Sequence, residues 1–399
     1  MKKAVMYGGG NIGRGFIGML FSQSGYEVAF IDVAKPVIEH LNTNRCYPVR
    51  ILKGNEVTDI SVENVCAIDG NDMDAAAQAI AECDIMATAV GVKILKFIIP
   101  NLVEGIRRRF AAGNKPLNII ICENLNDANK IVEKMIKEQL TEEECRHFDE
   151  QVGLVEASIG RMVPIQTPEM QDGEPMRVCV ETYGFLPVDK DAFKGEIPEV
   201  KNMIPFSPFD FFIKRKLFVH NMGHATCAYL GGFVGKEYIW EAIADPDIYI
   251  MVQNAMEASA LALSKKYGVD VADLFRHIQD LLVRFTNAAL QDTCDRVGRE
   301  PERKLDRHDR LVGSWALCRE MGVDNSFQAA GIAGALLRYL TEQGMEQNAE
   351  NAAKALKELS GEEIPQAIRY YEMLLAGKSL TELRKAVELD RHASLVDIV

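Results

Sequence analysis

The stretch YGGGNIGRGF (7–16) constrains this chain more than any other feature. Gly8, Gly10 and Gly13 stand in G-x-G-x-x-G spacing, directly after the apolar run KAVMY (3–7) and at the start of a helical pattern. In that setting the first glycine permits a tight turn, the second lets backbone approach a pyrophosphate, and the third lets helix and strand pack closely. The helix N-terminus, with Asn11 and Ile12, adds unpaired N–H groups and a positive dipole end. Asp32 ends a second apolar run, EVAFID (27–32), 19 residues past Gly13. A carboxylate there accepts hydrogen bonds from adenosine ribose hydroxyls and repels a 2′-phosphate, so NAD is predicted over NADP. The plainer alternative is a glycine-rich turn beside an exposed aspartate. TAVG (88–91) closes another predicted strand. Thr88, Ala89 and Val90 are expected on the nicotinamide side of the cofactor, because ligands sit at the carboxyl ends of such strands.

Six β-rich runs alternate with helical patterns through the first half: KAVMY, EVAFID, CDIMATAV (83–90), LNIIIC (117–122), GLVEASI (153–159) and RVCVETYGF (177–185). Alternation of this kind predicts βαβ units and a doubly wound, mostly parallel sheet of the Rossmann-like α/β class. After residue 195 the pattern turns to long helical segments, such as DIYIMVQNAMEASALALSKKYG and SFQAAGIAGALLRYLTEQG. Two domains follow: residues 1–195, nucleotide-binding, and residues 196–399, mainly α-helical and carrying substrate chemistry. Three prolines in KGEIPEVKNMIPFSPFD (194–210) mark the expected linker. With 399 residues, 48% of them hydrophobic, the chain can build two cores.

A net charge of −13 argues against nucleic acid or an anionic membrane as partner, so any anionic substrate must meet locally concentrated cations. Nine scattered cysteines without a C-x-x-C pair suit reduced thiols in the cytoplasm. The N-terminal MKK and the apolar residues after it imitate a secretory leader, but glycines and Arg14 interrupt them, so the segment is expected in the mature protein. The most apolar stretch, 84–103, carries Lys93 and Lys96, which a lipid-facing helix would not tolerate cheaply. Arg107, Arg108 and Arg109 are expected to be solvated at a helix end.

KRKLFVHNMGH (214–224) places Lys216, His220, Asn221 and His224 on one helix. At about 100° per residue from Lys216, His220 falls near 40°, His224 near 80° and Asn221 near 140°, one shared face. A half-buried lysine there acquires a lowered pKa and can serve as acid or base at a hydroxyl or carbonyl. The alternative is a surface lysine with a snorkelling stem. His220 and His224 have i, i+4 spacing, but H-E-x-x-H is absent and no metal is expected.

Lys216, Asn221 and His224 form K-x4-N-x2-H, which resembles the signature of the polyol-specific long-chain dehydrogenases, the mannitol dehydrogenase family. GGGNIGRGFIG, TAVG, LNIIICEN, FKGEIP, KRKLFVHNMGHATCAYLG and VGREPERKLDRHDRL occur in the order expected of the branch acting on mannitol 1-phosphate. The resemblance implies a zinc-free, NAD-dependent enzyme interconverting mannitol 1-phosphate and fructose 6-phosphate, and a monomer. It implies Lys216 as general acid/base, Asn221 and Asn124 as donors to the reacting oxygen, and His224 as a group orienting substrate hydroxyls. Three positions depart from the family pattern: Gly160 replaces an aspartate, Ile213 and Lys214 stand where a glutamate is common, and His220 replaces an apolar residue. Arg215, Arg303 and Lys304, in the two basic clusters of the second half, are the candidates for gripping a phosphate. A hexuronate reductase of the same family and a non-catalytic NAD-binding sensor are the competing functional readings.

Overall fold

The computed structural model describes residues 2–54, 56–125 and 127–396. Two compact units divide the chain, Met1–Asp210 and Phe211–Val399.

The first unit is α/β, as its alternating pattern requires. Its strands are β1 (Lys2–Tyr7), β2 (Tyr26–Asp32), β3 (Cys46–Lys53), β4 (Glu56–Glu63), β5 (Val65–Asp69), β6 (Ile85–Thr88), β7 (Leu117–Ile121), β8 (Val152–Glu156), β9 (Val178–Glu181), β10 (Leu186–Asp189) and β11 (Met203–Phe206). Six of them form one parallel sheet in the order β5-β2-β1-β6-β7-β8, so the order reverses between β1 and β6. That reversal opens the crevice in which doubly wound sheets bind ligands. Both sheet faces are covered. Ala4 and Met6 point into a core with Phe16, Ile17 and Leu20, while Val5 and Tyr7 point into another with Ile80, Ile98 and Leu102. The period-2 alternation of KAVMY serves two apolar cores at once, which is why it reads as a continuous apolar run.

Three sequence expectations need correction. RVCVETYGF does not join the main sheet: β9 runs parallel to β3, which pairs antiparallel with β4 in a separate three-stranded sheet. The proline-bearing stretch 194–210 is no loose tether and lies with the first unit, beyond the expected boundary at 195. Lys194 is fixed to Asn118 through two hydrogen bonds, and β11 pairs with β10. The three arginines differ in kind. Arg107 and Arg108 make surface ion pairs with Glu144, Glu104 and Asp74, but Arg109 is buried. Its guanidinium donates to the carbonyls of Ala81 and Cys83, each at 2.8 Å, Lys115 at 2.7 Å and Pro116 at 3.3 Å.

The second unit is helical. Asp245 caps the helix Pro246–Tyr267, Pro246 occupies its first position, and Gly268 ends it with a φ of 68°, the usual proline-first, glycine-last asymmetry. The helices Met222–Phe233 and Ser326–Glu342 are buried nearly all round and form the middle of this unit. Among the described residues no helix is long and apolar enough to cross a membrane.

Replacing Arg109 by Leu leaves several buried carbonyls without a donor, and each such group costs about 1–3 kcal/mol. The variant should lose about 3 kcal/mol of stability in the first unit, read from hydrogen exchange of the β6 and β7 amides. A loss under about 1 kcal/mol would mean that water replaces the guanidinium.

Candidate functional site

In the first unit, the predicted nucleotide-binding residues converge at the carboxyl ends of β1, β2 and β6. Gly8 has a φ of 102°, and a Cβ on it would lie 2.5 Å from the carbonyl oxygen of Ala89. A Cβ on Gly13 would lie 1.9 Å from the carbonyl oxygen of Gly8. Gly10 differs: nothing stands within 4 Å of the position its Cβ would take. Protein packing demands the first two glycines, whereas open space over Gly10 and the exposed Asn11 leaves room for a pyrophosphate. Ile12 is half-buried behind them. The residues therefore fit a dinucleotide.

Asp32 is held by three backbone donors: Gly9 N at 2.6 Å, Val33 N at 2.7 Å and Ala34 N at 2.8 Å. Thr88 is fully buried with an unpartnered Oγ1, while Ala89 and Val90 are half-buried. Asn124 is exposed on the loop after β7.

Two residues in this unit escaped the sequence reading. Arg14, directly after the glycine motif, donates from Nε to Gly9 O at 2.7 Å and from Nη1 to Met176 O at 2.5 Å, and Tyr47 Oη donates to the Arg14 carbonyl at 2.8 Å. It ties the turn to the chain before β9; its signal was a charge interrupting an apolar stretch. Glu123 is buried and accepts from Val90 N at 2.9 Å and Gly91 N at 2.8 Å, fixing the TAVG turn. An acid directly after the β-rich run LNIIIC was the signal there.

In the second unit, Lys216 opens a π-helical turn, Lys216–Asn221, that continues into the helix Met222–Phe233. The amide of Met222 donates to the carbonyl of Leu217, five residues back. Hydrogen bonds from i to i+5 bring residues five apart onto one face, so Asn221 comes closer to Lys216 than α-helical spacing allows. Burial, and then the Arg310 guanidinium beside it, lower the Lys216 ammonium to about 8. His220 is buried, and that burial, with the charges of Arg284, His224, His277 and Lys216, pushes its pKa well below the usual histidine value. It is neutral near pH 7 and adds no charge beside the lysine.

His224 stacks on Phe285, with centroids 4.9 Å apart and planes 18° apart. Its Nε2 lies 3.1 Å from Asp292 Oδ2, a distance suited to a hydrogen bond but misaligned for one, so the contact is electrostatic. Asp292 is also paired with Arg296. Against the cost of its own burial, these two neighbours hold its carboxyl below the usual range. Among the described residues no group of three or more metal-ligating side chains converges.

The phosphate candidates part company. Arg215 lies over the Phe212 ring at 4.4 Å. Arg303 is exposed and paired with Glu300 at 2.8 Å and Asp309 at 3.5 Å. Lys304 is only 4% exposed. Burial, Arg310 and Arg303 lower it to about 8.

The sequence matches the profile of the mannitol dehydrogenase Rossmann domain over residues 2–202 and that of the mannitol dehydrogenase C-terminal domain over residues 209–388. It is 38% identical, over 333 residues, to a mannitol-1-phosphate 5-dehydrogenase of Brevibacillus brevis, covering 84% of this chain and 85% of the relative. The chain belongs to the mannitol dehydrogenase family. It is an oxidoreductase of that family, and two solved structures share its fold. One is Pseudomonas fluorescens mannitol 2-dehydrogenase in a ternary complex with NAD and D-mannitol, with a TM-score of 0.74 and 15% identity, covering 97% of this chain and 94% of that one. The other is a substrate-free D-sorbitol dehydrogenase, with a TM-score of 0.72 and 16% identity, covering 97% and 92%.

In this mannitol dehydrogenase family member the 88–91 turn depends on one carboxylate. Replacing Glu123 by Ala removes two charge-assisted hydrogen bonds, each worth about 1.5–3 kcal/mol. Amide exchange at Val90 and Gly91 should speed up at least about tenfold. Unchanged protection would show that the turn holds itself.

Proposed function

We propose that the protein interconverts mannitol 1-phosphate and fructose 6-phosphate with NAD, using Lys216 as general acid/base. The observation that carries this reading is the Lys216 ammonium, lowered to about 8 by burial and Arg310, on one turn with Asn221 and close in sequence to His224. The name of the 38% identical relative supports the substrate pair. Asp32, held by three amides at the end of β2, supports NAD over NADP. NAD, when bound, supplies the hydride chemistry.

In reduction, Lys216 gives its proton to the carbonyl oxygen; in oxidation, the neutral amine takes the hydroxyl proton. Asn221 and Asn124 donate amide hydrogens to that oxygen and stabilise its developing negative charge. His224, braced by Phe285 and Asp292, orients the neighbouring hydroxyls. Gly160 places no polar side chain near Tyr183, so orientation by an aspartate at that position is absent from this scheme. Free thiols at all nine cysteines support a reducing cytoplasm, and a monomer is the proposed state.

Replacing Lys216 by Ala should cut turnover by about 10² to 10⁴ while NADH binding persists. A variant keeping half its activity would mean that another group moves the proton. The wild-type pH profile is a second check. Because the protonated lysine drives reduction, fructose 6-phosphate reduction should fall as pH rises through about 8, and mannitol 1-phosphate oxidation should rise through the same range. On the cofactor side, NADH should be favoured over NADPH, with Asp32→Ala narrowing the gap. Equal efficiency with both cofactors, or a preference for fructuronate over fructose 6-phosphate, would overturn the corresponding part of the assignment.

A further inference from the structure

Lys304 is a largely buried basic side chain that no hydrogen bond among the described residues accounts for. It closes the short helix Pro301–Lys304, is 4% exposed, and among the described residues its ammonium meets no hydrogen-bond acceptor and no ion-pair partner. A lysine that buries its stem and leaves its ammonium unpaired at the edge of the accessible surface is placed to take an anion. The Arg310 charge acts on Lys304 and on Lys216, and the ion pair of Arg303 with Asp309, at 3.5 Å, ties the helix that ends at Lys304 to the one that Arg310 begins. The position of Arg310 follows from Asp309, which caps the helix Arg310–Glu320. Asp309 Oδ1 accepts from Arg310 N at 2.6 Å and from Arg310 Nε at 2.7 Å, while Asp309 Oδ2 lies 3.5 Å from Arg303 Nη1. That arrangement fixes the Arg310 guanidinium at Nε, and among the described residues its two terminal nitrogens meet no protein acceptor.

We propose that Arg310 and Lys304 form the seat for the phosphate of the sugar phosphate. The proposal rests on the reading of a sugar-phosphate substrate handled by Lys216, and deepens it by naming the residues that select the phosphorylated substrate. Charge supports it. Lys216, Arg303, Lys304 and Arg310 share this corner with the carboxylates of Glu300 and Asp309 alone among the acids acting on Lys304. The cationic excess matches a phosphomonoester, which carries about −1.5 to −2 at neutral pH. Chemistry supports it too: a guanidinium edge takes two phosphate oxygens at once, and an ammonium adds a point charge behind them. Arg303, already paired with both carboxylates, serves to hold Asp309 in place. R-x-P-x-R-K does not single out Arg310, because the capping aspartate that aims it acts only in the folded chain.

The test uses the full chain with NADH as co-substrate. It compares wild type with Arg310→Gln, Lys304→Gln and Arg310→Lys, and measures KM for fructose 6-phosphate, KM for fructose and competitive inhibition by inorganic phosphate. Loss of a charge-assisted contact should raise KM for fructose 6-phosphate and weaken phosphate inhibition at least about tenfold in each Gln variant. The rise for fructose 6-phosphate should exceed that for fructose by a similar factor. Thermal midpoint and NADH fluorescence report whether each variant is folded. Arg310→Lys, which keeps charge but loses the fork, should fall between wild type and Arg310→Gln and serves if the latter does not fold. If wild type prefers fructose 6-phosphate and is inhibited by phosphate, yet the folded variants keep both properties, the seat is elsewhere. Wild type that shows neither property would bring down the sugar-phosphate reading, and the seat with it.

Discussion

The first unit depends on a contact that no side chain could survive, the approach of the Gly13 α-carbon to the Gly8 carbonyl oxygen. With a Cβ the gap would be 1.9 Å, so anything but glycine would push the helix off the strand. From this contact the rest follows in order. The helix is pressed onto the sheet deeply enough for Phe16, Ile17 and Leu20 to join the core with Met6 and Phe30. The turn between strand and helix is tight, so the Gly9 amide reaches Asp32, while Gly8 abuts Ala89 from the neighbouring strand. Glu123 then secures the residues after Ala89. One steric condition thereby collects the ends of β1, β2, β6 and β7 at the point where strand order reverses.

Buried cations separate structural residues from chemical ones. Arg14, Arg109 and Arg161 are each at most 7% exposed, and each directs its donors at backbone carbonyls, so their charge is delocalised into peptide dipoles. They stitch segments distant in sequence: Arg109 joins the residues before β6 to those before β7, and Arg161 reaches Gly15. Half-buried Lys216 and buried Lys304 have no such acceptors among the described residues and respond by losing basicity. In a chain of net charge −13, carboxylates to neutralise them are plentiful, yet among the described residues none pairs with either lysine. An unpaired ammonium in that setting is suited to work that pairing would prevent, namely releasing a proton or taking an anion.

The parallel sheet and its glycine turn were legible because their determinants are local: spacing of glycines, period of apolar residues, an acid at a strand end. The hairpin of β3 and β4 was not. Its strands carry Arg50, Lys53, Asp59 and Glu63 on exposed edges and Pro48 within, so their apolar positions never form a continuous run. Stretch 194–210 was misjudged for a related reason: its prolines signal irregular backbone, but its order comes from Asn118, far away in sequence. Arg109 was unreadable on the same ground, since nothing in RRR says which arginine meets four carbonyls. Lys216 and its partners were nameable from pattern, and the environment that lowers the lysine was not, because Arg310 is distant along the chain.

The π-helical turn shows why a motif can be found by spacing before its geometry is understood. A regular α-helix leaves a residue five positions on at about 140° from the first. A lysine and an asparagine separated in that way would serve one oxygen atom poorly. Widening the turn removes the difficulty at the expense of poorer hydrogen-bond geometry, and something must hold it open. Packing on both flanks does so. A Cβ on Gly313 would lie 2.7 Å from the Phe218 ring, and one on Gly223 would lie 2.6 Å from Met256 Sδ. The helix Arg310–Glu320 therefore approaches the widened turn itself, and the helix Pro246–Tyr267 the residues just after it, at positions where only glycine leaves room. The same close approach that props the turn open at Gly313 also brings the start of its helix, with Arg310, beside Lys216. Backbone shape at residues 216–221 and acidity at Lys216 are thus two consequences of one packing arrangement, and a substitution that enlarges Gly313 disturbs both together.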